Sequence, residues 1–135
     1  MGSHPVPAVQ ALANEPGIEV TGTVADVRPY YREAFACIVP LRTGMGTRLK
    51  ILEAMAAGVP VISTTIGAEG LAVEPGENIL IANREQEWRS ALTSLTAQPN
   101  RLRLVRAGRA LVSSRYDWEI LGEQAWQTYH QWINE

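Results

Sequence analysis

The chain has 135 residues, of which 46% are hydrophobic and 19% are charged, and its formal net charge is −2. This length predicts a single domain with a buried core, and the composition argues against disorder. Because no block of like charges occurs, the overall charge predicts neither a nucleic-acid surface nor an anionic-lipid surface, although a local basic patch stays compatible with these numbers.

The single cysteine, Cys37, lies in an apolar segment that is typical of a buried strand. One cysteine excludes an intrachain disulfide and a cysteine-cluster metal site, which favours a reducing compartment. No apolar run approaches the length of a membrane span, and no signal sequence opens the chain. We therefore expect a cytoplasmic protein without a metal site.

The first third of the chain is predicted to form short helices and strands. Helices are expected over residues 5–14 and from near Pro29, a turn at 16–17, and strands over 18–22 and 37–41. Asp26 is expected to cap the helix that begins near Pro29. The strand at 37–41 is continuously apolar, which predicts that both of its faces are covered.

A helix over residues 47–57 follows the glycine loop, and Gly58 is expected to end it in a left-handed conformation. The remaining predicted elements are strands over 59–63 and 78–82, a loop over 64–76 and three C-terminal helices, marked by the helical spacing of Trp88 and Leu92, of Leu104 and Leu111, and of Trp118 and Leu121. Trp118, Trp126 and Trp132 recur at helical spacing, which favours core packing over sugar stacking. Glu69 has two open interpretations, a solvated loop carboxylate or a site residue.

Alternation of helices and strands predicts an α/β fold, a Rossmann-like parallel sheet with flanking helices. Four strands are fewer than an open doubly wound sheet usually has. We therefore interpret residues 1–135 as one partial Rossmann-like domain, in which residues 98–135 form the C-terminal helices.

The glycine loop and the helix after it carry the residues most suited to a ligand. Gly44 and Gly46 let the backbone approach a ligand closely, and the helix N-terminus presents free N–H groups and a positive dipole. Arg48 and Lys50 add cations, and Glu53 lies roughly 10 Å along the helix from Gly46. This arrangement suits a nucleotide with its phosphates at the helix start, but an ordinary exposed charged face explains the same spacing equally well.

Five segments together resemble the C-terminal domain of group 1 glycosyltransferases. They are residues 21–27, 40–41, 46–63, 67–71 and 116–119, and the most specific is Leu-Glu-Ala-Met-Ala-Ala-Gly-Val-Pro-Val-Ile at 52–62. The resemblance implies one half of a GT-B architecture, in which this domain holds most of the nucleotide sugar. It also implies a retaining hexosyltransferase-like enzyme that uses a UDP- or GDP-sugar as its substrate, with no metal or other cofactor, in polysaccharide or glycolipid synthesis.

The resemblance also implies roles for single residues. Glu53, which ends the family's motif of two glutamates separated by seven residues, would hold the donor ribose, whereas Met45 stands where that motif has its first glutamate. Gly46 and Thr47 would contact the diphosphate or sugar through their backbone amides. Thr23 and Val24 would lie near the nucleobase, although a plain strand-to-helix turn is the alternative interpretation. Arg48 and Lys50 would stabilise the charge that develops on the diphosphate.

Relative to the family, the chain lacks two strands and a helix of this domain, and the whole acceptor-binding domain. We therefore expect a fragment or one partner of an assembly, inactive alone and self-associating through an exposed sheet edge. A full-length enzyme would be cytoplasmic or peripheral at the inner membrane. The main alternative is a non-catalytic binding or assembly module. A sugar-nucleotide epimerase of the same architecture fits the motifs less well. A receiver-type domain fits least, because this sequence lacks the acidic cluster and the lysine that such domains need.

Overall fold

A computed structural model describes residues 5–44, 46 and 48–133. The contacts of the chain divide it into two compact units, residues 1–33 and 34–135. The interpretation of residues 1–135 as one domain stays a prediction.

The first unit contains two short helices. Helix α1 spans Pro7–Ala11 and continues as a 3₁₀ turn over Leu12–Asn14, as the sequence predicts. Helix α2 spans Arg28–Glu33, and Asp26 Oδ1 accepts the backbone N–H of Arg28 at 2.9 Å at its start. The side chain of Arg28 also donates to Asp26, and these hydrogen bonds hold the pKa of that exposed carboxyl below its usual value.

The prediction of a strand over residues 18–22 is wrong, because these residues have no strand pairing. Alternating β-branched residues favour an extended backbone, but a strand exists only where a neighbour accepts and donates its backbone hydrogen bonds. Thr23 and Val24 therefore do not follow a strand. The turn predicted at 16–17 is confirmed, and Gly17 adopts a φ of 82° there.

The second unit is built on a three-stranded parallel sheet. Its strands are β1 (Cys37–Val39), β2 (Val61–Ser63) and β3 (Leu80–Ile81), in the order β1-β2-β3. Each lies within a predicted strand. The expectation that both faces of β1 are covered is wrong, because Ile38 is 44% exposed. β1 is the edge of this sheet, whereas β2 is central and buried at all three residues.

Helix α3 (Leu49–Ala56) ends as the sequence predicts. Gly58 has a φ of 78°, its N–H donates to the carbonyl of Met55 at 3.0 Å, and the N–H of Val59 donates to the carbonyl of Ala54 at 2.9 Å. This pair of bonds is the Schellman arrangement, which satisfies the carbonyls that a helix end leaves free. The chain can therefore turn directly from α3 into β2.

Two further helices, α4 (Glu85–Thr96) and α5 (Gln98–Arg115), cover the sheet. The core between them and β2 is apolar and consists of Ile62, Ala82, Ala91, Leu95 and Leu104. Helices α3 and α5 pack closely, because a Cβ at Gly108 would lie 3.1 Å from Met55 Cγ. The absence of a side chain at Gly108 thus fixes how near α5 comes to α3.

The last helix, α6, spans Trp118–Ile133 and has no buried residue. The prediction that its tryptophans pack in the core is wrong: Trp118 is 86% exposed, and Trp126 and Trp132 are each more than half exposed. Helical spacing determines that these rings share one side of α6, but not what covers that side. Within the described part of the chain, no helix is both long and apolar enough to cross a membrane.

Candidate functional site

Two loops meet at the carboxyl edge of the sheet, because β1 and β2 are parallel neighbours. Thr64, directly after β2, donates its hydroxyl hydrogen to the carbonyl of Leu41 in the loop after β1. The same hydroxyl oxygen accepts the N–H of Gly67 at 2.9 Å. Ser63 Oγ lies 3.0 Å from the carbonyl oxygen of Thr64 and 3.3 Å from that of Val39. Buried hydroxyls thus join the two loops at their base.

Arg48 joins the same two loops above that base. Its Nη2 donates to the carbonyl of Ile66 at 3.0 Å and to the carbonyl of Gly44 at 3.3 Å. Its Nε is enclosed and has no acceptor among the described residues. The guanidinium is therefore directed at the backbone of the two loops.

A groove of about 590 Å³ lies beside α3 and is called here the α3 groove. Its lining includes Gly46, Arg48 and Glu53, together with Glu69, Leu71 and Trp118. One wall is fixed because Tyr116 Oη accepts the backbone N–H of Ala72 at 2.7 Å. The groove combines two carboxylates with a largely apolar lining, which is typical of sites for small-molecule ligands.

A smaller cavity of about 270 Å³ lies on the other side of α3, towards β1. Arg48 and Lys50 line it together with Pro40, Leu41 and Gly67. Cys37 lies on the same strand, and burial raises the pKa of its thiol above the ordinary value, while Lys50 lowers it and Glu53 raises it. Among the residues that the structure describes, Arg48 lines both cavities.

The structure brings together some of the predicted site residues and separates others. Gly46, Arg48 and Glu53 share the α3 groove, and Lys50 lines the cavity on the β1 side. Gly44 and Gly46 have φ values of 137° and 122°, which glycine adopts readily. Met45 and Thr47 lie outside the described residues. Thr23 and Val24 belong to the first unit, which is described by itself.

Sequence reasoning left Glu69 open and missed Thr64 and Tyr116. Glu69 lines the same groove as Glu53. A signal for Thr64 exists in the sequence, since it is polar and directly follows an apolar strand that ends at the carboxyl edge. Tyr116 has no comparable signal, because its partner Ala72 is 44 residues away. Among the described residues, no group of three acidic, cysteine or histidine side chains is placed to hold a metal ion.

An α/β unit with a parallel sheet, and with its loops and a groove at the carboxyl edge, is the architecture of a Rossmann-like ligand-binding domain. The profile of the family described as glycosyl transferases group 1 matches residues 1–98. The chain therefore belongs to the group 1 glycosyl transferases.

Relatives and solved structures agree with this membership. The chain is 30% identical over 103 residues to D-inositol 3-phosphate glycosyltransferase of Rhodococcus jostii (strain RHA1), which is 75% of this chain and 20% of the relative. It is 36% identical over 81 residues to the GDP-mannose-dependent monoacylated alpha-(1-6)-phosphatidylinositol monomannoside mannosyltransferase of Corynebacterium glutamicum, covering 58% and 21% of the two chains. The chain thus spans about a fifth of the length of these curated relatives.

The fold is similar to that of sucrose-phosphate synthase from Thermosynechococcus elongatus, with a TM-score of 0.76 and 28% identity over 94% of this chain and 33% of the other. It is also similar to the C-terminal domain of a glycosyl transferase group 1 family protein from Francisella tularensis, with a TM-score of 0.62 and 24% identity. That match covers 82% of this chain and 60% of the domain. The Rossmann-like C-terminal half of a GT-B architecture is therefore confirmed.

Proposed function

We propose that this chain is the donor-binding part of a retaining glycosyltransferase that moves a sugar from a UDP- or GDP-sugar to a glycan or glycolipid acceptor. The observation that carries the proposal is the α3 groove, which is lined by Gly46 of the glycine loop, by Glu53 of the helix that follows it and by a second carboxylate, Glu69. The name of the Corynebacterium glutamicum relative, which is GDP-mannose-dependent, supports a nucleotide-sugar donor.

In this proposal, each part of the site has one chemical task. The N–H groups at the start of α3 and the cation of Lys50 stabilise the charge that develops on the leaving diphosphate. Glu53 accepts hydrogen bonds from the ribose hydroxyls, and we propose the backbone of Gly46 and Thr47 for the diphosphate or sugar. Thr23 and Val24 are proposed for the nucleobase. These groups bind and orient the donor without a metal ion, and transfer needs an acceptor-binding domain as well.

Titration calorimetry of this chain with UDP, GDP and ADP tests the donor site. We expect one base to bind selectively, and Glu53→Gln to weaken that binding by about 10- to 100-fold, because a charged acceptor for the ribose hydroxyls is lost. Glu123→Gln is the matched control. Glu123 is also a helical carboxylate, but it lies outside the groove and accepts a hydrogen bond from the Gln127 side chain. Equal affinities of the wild type and Glu53→Gln would contradict the role of Glu53. Binding of none of the three nucleotides would contradict a donor site in this chain.

The alternative is a non-catalytic binding or assembly module, and the edge position of β1 favours it. We propose that the chain self-associates through this edge, where Ile38 is exposed and the outer backbone groups of β1 have no ladder partner in the described sheet. Light scattering is expected to show a dimer, and Ile38→Lys is expected to shift it to a monomer. Ile120→Lys, on α6, is the control. A strictly monomeric wild type at high concentration would overturn this proposal.

We further propose that a full-length enzyme is cytoplasmic and peripheral at the inner membrane, and that it acts in polysaccharide or glycolipid synthesis. The support is that relatives are named for phosphatidylinositol-based lipids. Cell fractionation of the full-length enzyme would check the location, and recovery outside the cytoplasm and its membrane would contradict it.

A further inference from the structure

We propose that Arg48 is a positioning residue that ties the glycine loop to the loop after β2, and that it does not itself bind the diphosphate. The tie is defined by the geometry of the chain alone. Its consequence for ligand binding rests on the donor site proposed above.

Arg48 directs its hydrogen bonds at two loops that follow different strands. The acceptors are the carbonyl of Gly44, in the loop after β1, and the carbonyl of Ile66, in the loop after β2. Nη2 of a guanidinium has two hydrogens, and these two carbonyls use both. Nε is enclosed and faces no acceptor in the described part of the chain. The edge formed by Nε and Nη2 therefore does not present the paired donors that a bidentate contact to a diphosphate would need there, and the tie leaves only Nη1 outside it.

The position of Arg48 also fits a tie better than an anion contact. It directly precedes α3, where the helix dipole is unfavourable for a cation. Two backbone carbonyls oppose that effect at hydrogen-bonding distance, since each carries a partial negative charge aimed at the guanidinium. A bound anion is thus not required to explain the cation at this place.

The tie positions groups that line the proposed site. The loop after β2 is already held at its base by Thr64, which accepts the N–H of Gly67. Arg48 holds the same loop one residue earlier, at Ile66, and Glu69 lies only three residues further on. Gly46 and Glu69 both line the α3 groove. Because Arg48 joins the loops that carry them, it sets the separation between the glycine loop and Glu69.

A lysine at position 48 separates the two roles. It keeps the positive charge, but its ammonium lacks the planar fork of the guanidinium and sits on a more flexible stem. An anion contact would survive Arg48→Lys in large part, whereas the tie would be lost in Arg48→Lys and in Arg48→Met alike.

Amide hydrogen exchange of the ligand-free chain tests the tie. In both variants we expect exchange over residues 42–44 and 64–70 to become about tenfold faster, because two hydrogen bonds that restrain these loops are removed. Exchange within α4 and α5 is expected to stay unchanged. Arg106→Met, which removes an exposed arginine of α5, is the matched control and should leave both loops as they are. Unchanged loop exchange in Arg48→Met, or protection retained fully in Arg48→Lys, would overturn the proposal.

Nucleotide titration tests the consequence for binding. The ligands are UMP and UDP, and GMP and GDP. In both variants we expect the affinity for the monophosphate and the affinity for the diphosphate to fall by the same factor, about tenfold. A larger loss for the diphosphate that Arg48→Lys restores would overturn the proposal in favour of a direct contact. If the wild type binds none of the four, the proposed function fails, and the exchange result still decides the role of Arg48.

Discussion

Gly67→Ala is expected to lower the free energy of unfolding by about 2–3 kcal/mol, because the site has no room for a methyl group. A Cβ at this position would overlap Ser63 Oγ and would lie 3.0 Å from both Thr64 Oγ1 and the carbonyl oxygen of Val39. These neighbours are a buried strand end and a hydroxyl that already accepts the N–H of Gly67. Urea denaturation followed by circular dichroism measures the loss.

The overlap with Ser63 provides an internal control for Gly67→Ala. Ser63→Ala removes the nearest atom, so the double variant is expected to be about 1 kcal/mol more stable than the sum of the two single losses predicts. Gly70→Ala tests backbone effects separately, since Gly70 has a φ of 83° and open space around it. Strictly additive losses, or a Gly67→Ala variant as stable as the wild type, would contradict the steric explanation.

Ile62→Ala is expected to lower the free energy of unfolding by about 3–4 kcal/mol, the largest single loss predicted for this chain. Ile62 is fully buried in the central strand and belongs to the cluster with Leu95 and Leu104. Truncation removes apolar contacts and leaves a cavity between β2 and the helices, which packed neighbours fill only partly. The same denaturation experiment measures the effect, and Ile62→Val extends it as a milder truncation with an expected loss of about 1 kcal/mol.

The register of the sheet supplies the matched control for this prediction. Ile38 pairs with Ile62 across the β1–β2 ladder, but it lies on the edge strand and is 44% exposed. At protein concentrations low enough to keep the chain monomeric, the same change, Ile38→Ala, is expected to cost less than about 1 kcal/mol, since part of its side chain is then in water. Equal losses at the two positions would show that β1 is covered in solution, which is the result expected from a dimer formed through this edge.

Much of the second unit follows from local sequence, and the structure confirms it. The strands at 37–39, 61–63 and 80–81 lie inside predicted ones, because short apolar runs between glycine and proline signals leave few alternatives. The left-handed conformation of Gly58 just after α3 was predictable, since that conformation is easy for glycine and costly for other residues. The family membership follows from the motif block that contains this turn.

The candidate site was predictable only in part, for a reason of distance along the chain. The sequence determines that Glu53 lies on the helix directly after the glycine loop, because these residues are only a few positions apart in the chain. It does not determine that Glu69 lines the same groove, nor that the Arg48 side chain donates a hydrogen bond to the carbonyl of Ile66. Both contacts depend on how two parallel strands bring their loops together. The backbone contact of Thr47 with the diphosphate or sugar stays a prediction, because Thr47 lies outside the described residues.

What this sequence determined by itself was therefore the type and order of the elements of its second unit and the left-handed turn that follows α3. Tertiary structure decided whether a segment with strand character had a strand to pair with, as residues 18–22 did not. It also decided which apolar faces were covered, leaving Trp118 in solvent and Ile62 in the core. The physical reason is that backbone conformation responds to neighbours in sequence, whereas strand pairing and burial require a partner surface that periodicity alone does not specify.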